Sequence, residues 1–252
     1  MKLTAEGKMM VAGHRGDMYN RCENTLPSFQ AAVESGCDMI ETDVQLSKDG
    51  VLVLMHDHSV ERTTNGSGMV KDLTFSQLRD LCVGGKEETQ VPTLEELLQL
   101  MENTGLTLNL EIKEYFSVEN RQRCEECIEK CVELVEKYGF GDKMVFNSFD
   151  AYVLEYIAEK YPKYKLHGFY PYSYMKNVRR DPDEYLYCAC LFDDWVKEYY
   201  DHLLSKGIEP WVGTGVTQEW HLRQCMDYGA KLMTANFPGE TVEKLRGMGL
   251  HD

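Results

Sequence analysis

Residues Met39–His56 read MIETDVQLSKDGVLVLMH, a β-type run, a polar break and a second apolar run. Successive side chains of an extended strand point to opposite faces, so Ile40 and Val44 share one face while Glu41 and Asp43 share the other. The break, Leu46-Ser-Lys-Asp-Gly50, is too short for the crossover that joins parallel neighbours but long enough for a hairpin. Val51–His56 is therefore expected as an antiparallel partner that brings His56 back beside the first run. Working outward, β-type runs recur at Met9–Ala12, Met39–Val44, Thr107–Ile112, Lys143–Asn147, Lys165–Phe169, Leu186–Leu191, Ile208–Val212 and Lys231–Thr234. Helical patterns lie between most of them, at Leu26–Glu34, Leu94–Glu102, Val118–Tyr138, Ala151–Tyr161, Val196–Ser205 and Gln218–Tyr228. Thr93-Leu-Glu-Glu96 follows Pro92 as a capping box, and Ser35-Gly36 closes the first helix. This alternation over 252 residues predicts an α/β fold, a TIM (β/α)8 barrel that occupies 1–252 as a single domain. A small insertion after the second strand, at about 46–92, carries TTNGSG and CVGGKEET and reads as loops. An open doubly wound sheet is the competing architecture, but no GxGxxG follows a strand to support it.

Charge narrows the function. Asp and Glu number 42 against 27 Lys and Arg, a net charge of −15. Such a surface does not meet the phosphates of a nucleic acid, nor an anionic membrane. It can still bind a small phosphate where cations are concentrated locally. The opening MKLTAEGKMMVAG lacks the continuous apolar core of a signal peptide, and no apolar run is long enough to cross a bilayer. No membrane anchor is expected, and the nine cysteines are read as reduced thiols in a cytoplasmic protein. Cys124, Cys127 and Cys131 share one helix face with Ile128, Leu134 and Val135. They read as small buried hydrophobes rather than metal ligands.

Two strands carry polar residues on one face only. On Leu108–Lys113, the leucines and Ile112 make the apolar face while Asn109, Glu111 and Lys113 make the other. In a barrel, inward polar residues at the C-terminal strand ends are where chemistry takes place. Glu41, Asp43 and Glu111 converging there would repel one another, and a hard divalent cation such as Mg²⁺ or Ca²⁺ neutralises such a set. The alternative is charged strand residues facing solvent. The matching pair on a second strand favours the cluster. His14 ends the first strand and His56 the extra one, where two imidazoles can serve as general base and general acid. Arg15 and Lys113 can grip a phosphate, or simply pair with the carboxylates. His58, His167, His202, His221 and His251 have no such setting and are read as structural or exposed.

These residues resemble a known family. GHRG (Gly13–Gly16), ENT (Glu23–Thr25), ETDVQLSKDG (Glu41–Gly50), MHD (Met55–Asp57), ERTTNGSG (Glu61–Gly68) and EIK (Glu111–Lys113) resemble the glycerophosphodiester phosphodiesterases. The likeness continues through NSF (Asn147–Phe149), Trp211 and NFP (Asn236–Pro238). It implies a TIM barrel with an insertion, His14 and His56 as the acid/base pair, and Glu41, Asp43 and Glu111 as ligands of one divalent cation, with Mn²⁺ a third candidate. It further implies Arg15 and Lys113 on phosphate, Asn24 supporting the first loop or the phosphate, and Phe149 and Trp211 lining a glycerol pocket. The chain departs from the family at Cys22, where proline or a small residue is usual. It departs again after Trp211, where Val-Gly-Thr-Gly-Val replaces the usual Thr-Val-Asn, and at Asn236, where aspartate is common.

The implied reaction is metal-assisted hydrolysis of a small-molecule glycerophosphodiester to glycerol 3-phosphate and an alcohol. One histidine would deprotonate the nucleophile and the other protonate the leaving alkoxide. The nucleophile is the neighbouring glycerol hydroxyl or water. A related barrel phosphodiesterase acting on lysophospholipids or phosphoinositides would be expected to show an apolar rim. A non-catalytic binding module would be expected to lack a ligand or a histidine. The chain is expected as a monomer or homodimer.

Overall fold

Apolar side chains on the outward face of each strand meet the helices, and the inward set closes around a common axis. The computed structural model describes residues 3–4, 7–85 and 89–252. Its strands are β1 (Met10–His14), β2 (Met39–Leu46), β3 (Leu52–Leu54), β4 (Thr107–Ile112), β5 (Met144–Asn147), β6 (Lys165–Tyr170), β7 (Cys188–Leu191), β8 (Glu209–Val212) and β9 (Leu232–Ala235). The helices are α1 (Leu26–Glu34), α2 (Phe75–Arg79), α3 (Leu94–Met101), α4 (Arg121–Lys137), α5 (Ala151–Lys160), α6 (Lys197–Ser205), α7 (Glu219–Tyr228) and α8 (Pro238–Gly247). The sheet runs β1-β9-β8-β7-β6-β5-β4-β2, and β1 also pairs with β2 in parallel, so eight parallel strands form a closed barrel. This is the expected TIM fold.

The hairpin also forms. Val44 opposes Leu54 and Leu46 opposes Leu52 in an antiparallel ladder. The regular strand is shorter than Val51–His56, but the Met55 N–H still donates to the Asp43 carbonyl at 3.0 Å. His56 is thus carried by a return loop anchored to the backbone of Asp43. The insertion is more than loops. Val53, Met55, Val60, Val70, Leu78, Val83 and Val91 make a small core of their own. The short α2 starts on a Thr74–Gln77 capping box. Lys86, Glu87 and Glu88 of CVGGKEET lie outside the described residues.

Thr93 and Glu96 form the expected capping box of α3. Cys124, Cys127 and Cys131 are buried with Ile128 and Val135 beneath α4, as small apolar groups. The last helix, α8, escaped the sequence reading although Pro238 stands at its start and Val242 and Leu245 have helical spacing. Inside the barrel, Ala12, Met39, Val145, Cys188, Trp211 and Leu232 pack as one apolar layer. That layer seals the N-terminal end, which leaves the polar inward residues at the other end to form a cleft.

Candidate active site

Two glycines set the first loop. Gly16 has φ +82°, and a Cβ there would lie 2.6 Å from the Ser28 backbone carbon. Gly16→Ala is expected to destabilise the fold by about 3 kcal/mol, through left-handed strain and overlap together. Chemical denaturation measures this, and a loss under about 1 kcal/mol would contradict it. Arg15 and Asn24 also sit at φ +53°, which non-glycine residues seldom occupy. This backbone aims the Arg15 N–H at Glu41 Oε2, 2.9 Å away. The Asn24 N–H donates to the Arg15 carbonyl at 3.1 Å.

Glu41, Asp43 and Glu111 come together as the parity of β2 and β4 requires, since Asp43 and Glu111 are register neighbours. One oxygen from each lies within 4.8 Å of the others, and all three residues are buried. Lys113 Nζ donates to Glu111 Oε1 at 2.5 Å and lies 3.1 Å from Asp43 Oδ1. Asp43 Oδ1 has no hydrogen bond, so its contact with Lys113 is an ion pair of non-directional geometry. Asp43 Oδ2 accepts from Asn24 Nδ2 at 2.8 Å and lies 3.5 Å from Arg15 Nε. Burial and the Asp43 charge push the Glu41 carboxyl up to about 8. Burial, against the pull of Lys113 and with repulsion from Asp43 and Glu41, pushes Glu111 up to about 7. For Asp43 burial acts in the same direction, but Lys113, His56 and Arg15 outweigh it and hold the group below the usual range. Protein cations alone thus do not keep all three ionised. A buried carboxylate oxygen without a hydrogen bond, inside an all-oxygen donor set, fits a hard divalent cation.

Both histidines reach this cluster. His14 Nδ1 is 2.6 Å from Asn236 Oδ1, and its Nε2 is 3.9 Å from Glu41 Oε2. An amide oxygen only accepts, so Nδ1 carries the proton and Nε2 presents a lone pair to the site. His56 Nδ1 is 2.7 Å from Asp57 Oδ1, which fixes the same tautomer. Burial first, then Arg15, lowers the His14 pKa against the Asn236 hydrogen bond and the Asp43 and Glu111 charges. Burial also lowers that of His56, against the Asp43 charge. Both rings are therefore neutral near pH 7 and able to take a proton. In Asn236→Asp a carboxylate would face His14 Nδ1 and favour the imidazolium. The His14 pKa should rise by about one unit in an NMR titration, and no rise would contradict the pairing.

His14, Arg15, Glu41, His56, Glu111, Lys113 and Phe149 line one cavity of about 490 Å³. Phe149 stacks on Phe169 at 3.6 Å and lies under Lys113 Nζ at 5.9 Å. Two expected residues do not line this cavity. Asn24 is buried behind Asp43, where it also accepts from Thr42 Oγ1 at 2.7 Å, a placement that fits the first of its two implied roles, support of the first loop. Trp211 belongs to the apolar layer below the cavity, its ring 4.8 Å from that of His167. Strand parity turns Trp211 inward, but its place in the register sets it too deep to line the pocket.

Other cavity residues were not singled out as functional. His167, buried and pushed down to about 3, lies at the floor with Asn109 Oδ1 3.3 Å from its Nδ1. Inward parity with Phe169 on β6 would have found it. Asp194 and His221 form a pair at 2.9 Å on the opposite wall, beside Trp195. Both come from loops or helix starts, where periodicity says nothing about depth.

The sequence profile of the glycerophosphoryl diester phosphodiesterase family matches residues 14–210. Over 168 residues the chain is 38% identical to a glycerophosphodiester phosphodiesterase of Caldanaerobacter subterraneus subsp. tengcongensis, covering 63% of this chain and 65% of that one. It thus spans just under two thirds of that relative's length. Over 216 residues it is 33% identical to a glycerophosphodiester phosphodiesterase of Bacillus altitudinis, covering 83% and 78%. A phosphodiesterase from Oleispira antarctica, solved in complex with the product sn-glycerol-3-phosphate, has a TM-score of 0.81 and 22% identity. That match covers 95% of this chain and 97% of the other, a likeness of fold.

Proposed function

Because the chain belongs to the glycerophosphoryl diester phosphodiesterase family, we propose that it hydrolyses small glycerophosphodiesters to glycerol 3-phosphate and an alcohol. The buried triad of Glu41, Asp43 and Glu111 between two tautomer-fixed histidines is the observation that carries this reading. The triad holds one divalent cation, Mg²⁺, Ca²⁺ or Mn²⁺. When bound, such an ion withdraws charge from the non-bridging phosphate oxygens. Arg15 and Lys113 bind the same phosphate from the chain's own side, exchanging part of their contact with carboxylates for contact with substrate. One imidazole Nε2 takes the proton of the nucleophile, the neighbouring glycerol hydroxyl or a water, as the new P–O bond forms. The other histidine acts in its protonated form, which the bound phosphate anion favours, and gives that proton to the alkoxide as the old P–O bond breaks, so the charge of the pair is unchanged. Where the glycerol hydroxyl is the nucleophile, water then opens the cyclic phosphate with the two roles reversed, which yields glycerol 3-phosphate. At the floor, Asn109 Nδ2, Asn147 Oδ1 and His167 Nε2 are buried without hydrogen-bond partners. Hydroxyl groups of a polar substrate would satisfy them.

Assay of several glycerophosphodiesters with and without a chelator tests the reading. Release of glycerol 3-phosphate only in the presence of a divalent cation supports it. No hydrolysis of any of them with Mg²⁺, Ca²⁺ or Mn²⁺ supplied overturns it. A second reading, a lipid-headgroup phosphodiesterase, draws on exposed aromatic residues: Trp195 and Phe192 line the cavity and stand 60% and 42% exposed. Lysophospholipids belong in the same panel. No helix among the described residues is long and apolar enough to cross a membrane. Nine cysteines, all free thiols, support a cytoplasmic location as part of the same proposal.

A further inference from the structure

Arg62, in the stretch ERTTNGSG, leaves the return loop after His56 and reaches across to the loop that follows β1. Its Nε donates to Asp57 Oδ2 at 2.5 Å and its Nη2 to Asp57 Oδ1 at 3.1 Å. Nη1 and Nη2 donate to the two oxygens of Glu23, each at 2.8 Å. Both carboxylates hold a site residue on the far side. Asp57 Oδ1 meets His56 Nδ1 at 2.7 Å, and Glu23 Oε1 accepts from Arg15 Nη1 at 2.7 Å. An unbroken chain His56–Asp57–Arg62–Glu23–Arg15 therefore links an acid/base ring to the phosphate clamp.

The loop bearing Arg62 is itself pinned. Thr64 Oγ1 donates to the Val60 carbonyl at 2.7 Å, and the Gly84 N–H donates to the Thr63 carbonyl at 2.7 Å. Asn65 Oδ1 accepts from the Cys82 N–H at 2.9 Å. The Arg62 side chain is 47% exposed, so solvent screens its ion pairs and their contribution to stability is small. What they set is direction. A planar guanidinium grips two carboxylates at fixed angles, whereas an ammonium is a single point charge.

We propose that Arg62 is a positioning residue: by holding Asp57 and Glu23 together, it fixes the His56 tautomer and the Arg15 guanidinium in one relation to the acidic cluster. This rests on the roles of His56 and Arg15 in the proposed hydrolysis. Without Arg62, Asp57 is free to turn toward solvent, and His56 populates the tautomer with its proton on Nε2. Glu23, no longer shared, draws Arg15 away from phosphate.

The test compares wild type, Arg62→Ala and Arg62→Lys. Ring ¹⁵N–¹H correlation spectra should place the His56 proton on Nδ1 in wild type and on both nitrogens in Arg62→Ala. With glycerophosphocholine and Mg²⁺, kcat should fall about 10–100-fold in Arg62→Ala, with a higher KM and little change in Tm. Arg62→Lys should recover only part of it, and added guanidinium should raise the rate of Arg62→Ala but not of wild type. An unchanged His56 tautomer in Arg62→Ala overturns the proposal, and so does a changed tautomer with wild-type kcat. If wild type itself hydrolyses no glycerophosphodiester, the activity reading fails, and the His56 spectra still decide the role of Arg62.

Discussion

Replacing His14 or His56 by alanine is expected to lower kcat by about 10²–10⁴-fold, with a smaller change in KM. Each ring has one nitrogen committed, to Asn236 or to Asp57, and the other turned to the cavity. Of the other imidazoles that line the cavity, His167 is buried at the floor and held neutral, and His221 is paired with Asp194, so neither stands ready to replace them. Both side chains are partly exposed, at 22% and 34%, so little packing is lost and Tm should hold within a few degrees. The double variant should be scarcely slower than the worse single one, because an acid and a base that exchange one proton act as a unit. Near-normal turnover in either single variant would remove that histidine from the chemistry.

Glu41→Gln should cost about a thousandfold in kcat/KM at a fixed, modest Mg²⁺ concentration, because one oxygen ligand is lost and cation affinity falls with it. Its effect on the cation-free fold is expected to be slight. With no cation, the Glu41 carboxyl is pushed up to about 8, so near pH 7 it is largely protonated and resembles glutamine. The sign of the pH dependence follows. The folded chain keeps a proton on Glu41 that the unfolded chain releases near its ordinary value of 4.5. Raising the pH from about 5 to about 8 therefore destabilises the cation-free wild type, and Glu111 adds to the slope up to about 7. A divalent cation should abolish that slope and raise Tm more at pH 8 than at pH 5. In Glu41→Gln the slope should be smaller and the cation-induced rise in Tm lost. A Tm rise equal to that of wild type would exclude Glu41 from the cation site.

The barrel and the acidic cluster were legible because they rest on short-range pattern. Two-residue alternation placed Glu41 with Asp43 and Glu111 with Lys113, and the brevity of the Leu46–Gly50 link required the hairpin that returns His56. What escaped depends on distance in the chain. Asn236 meets His14 across 222 positions and Arg62 meets Glu23 across 39, and nothing local announces either contact. Trp211 shows the limit of parity, which assigns a side chain to the inside of a barrel but not to a height along it. Its inward face was readable, whereas its depth follows from register with Leu232 and Cys190. His221 and Asp194 lie where loops converge, and pair only because the segment after β8 closes against the segment after β7.

The most direct measurement is the initial rate of glycerol 3-phosphate release from glycerophosphocholine as free Mg²⁺ is titrated from chelated to saturating. A rate that rises from near zero to a plateau in wild type, and shifts to much higher Mg²⁺ in Glu41→Gln, is the predicted result. Hydrolysis that persists undiminished in the chelator would contradict a cation held by Glu41, Asp43 and Glu111.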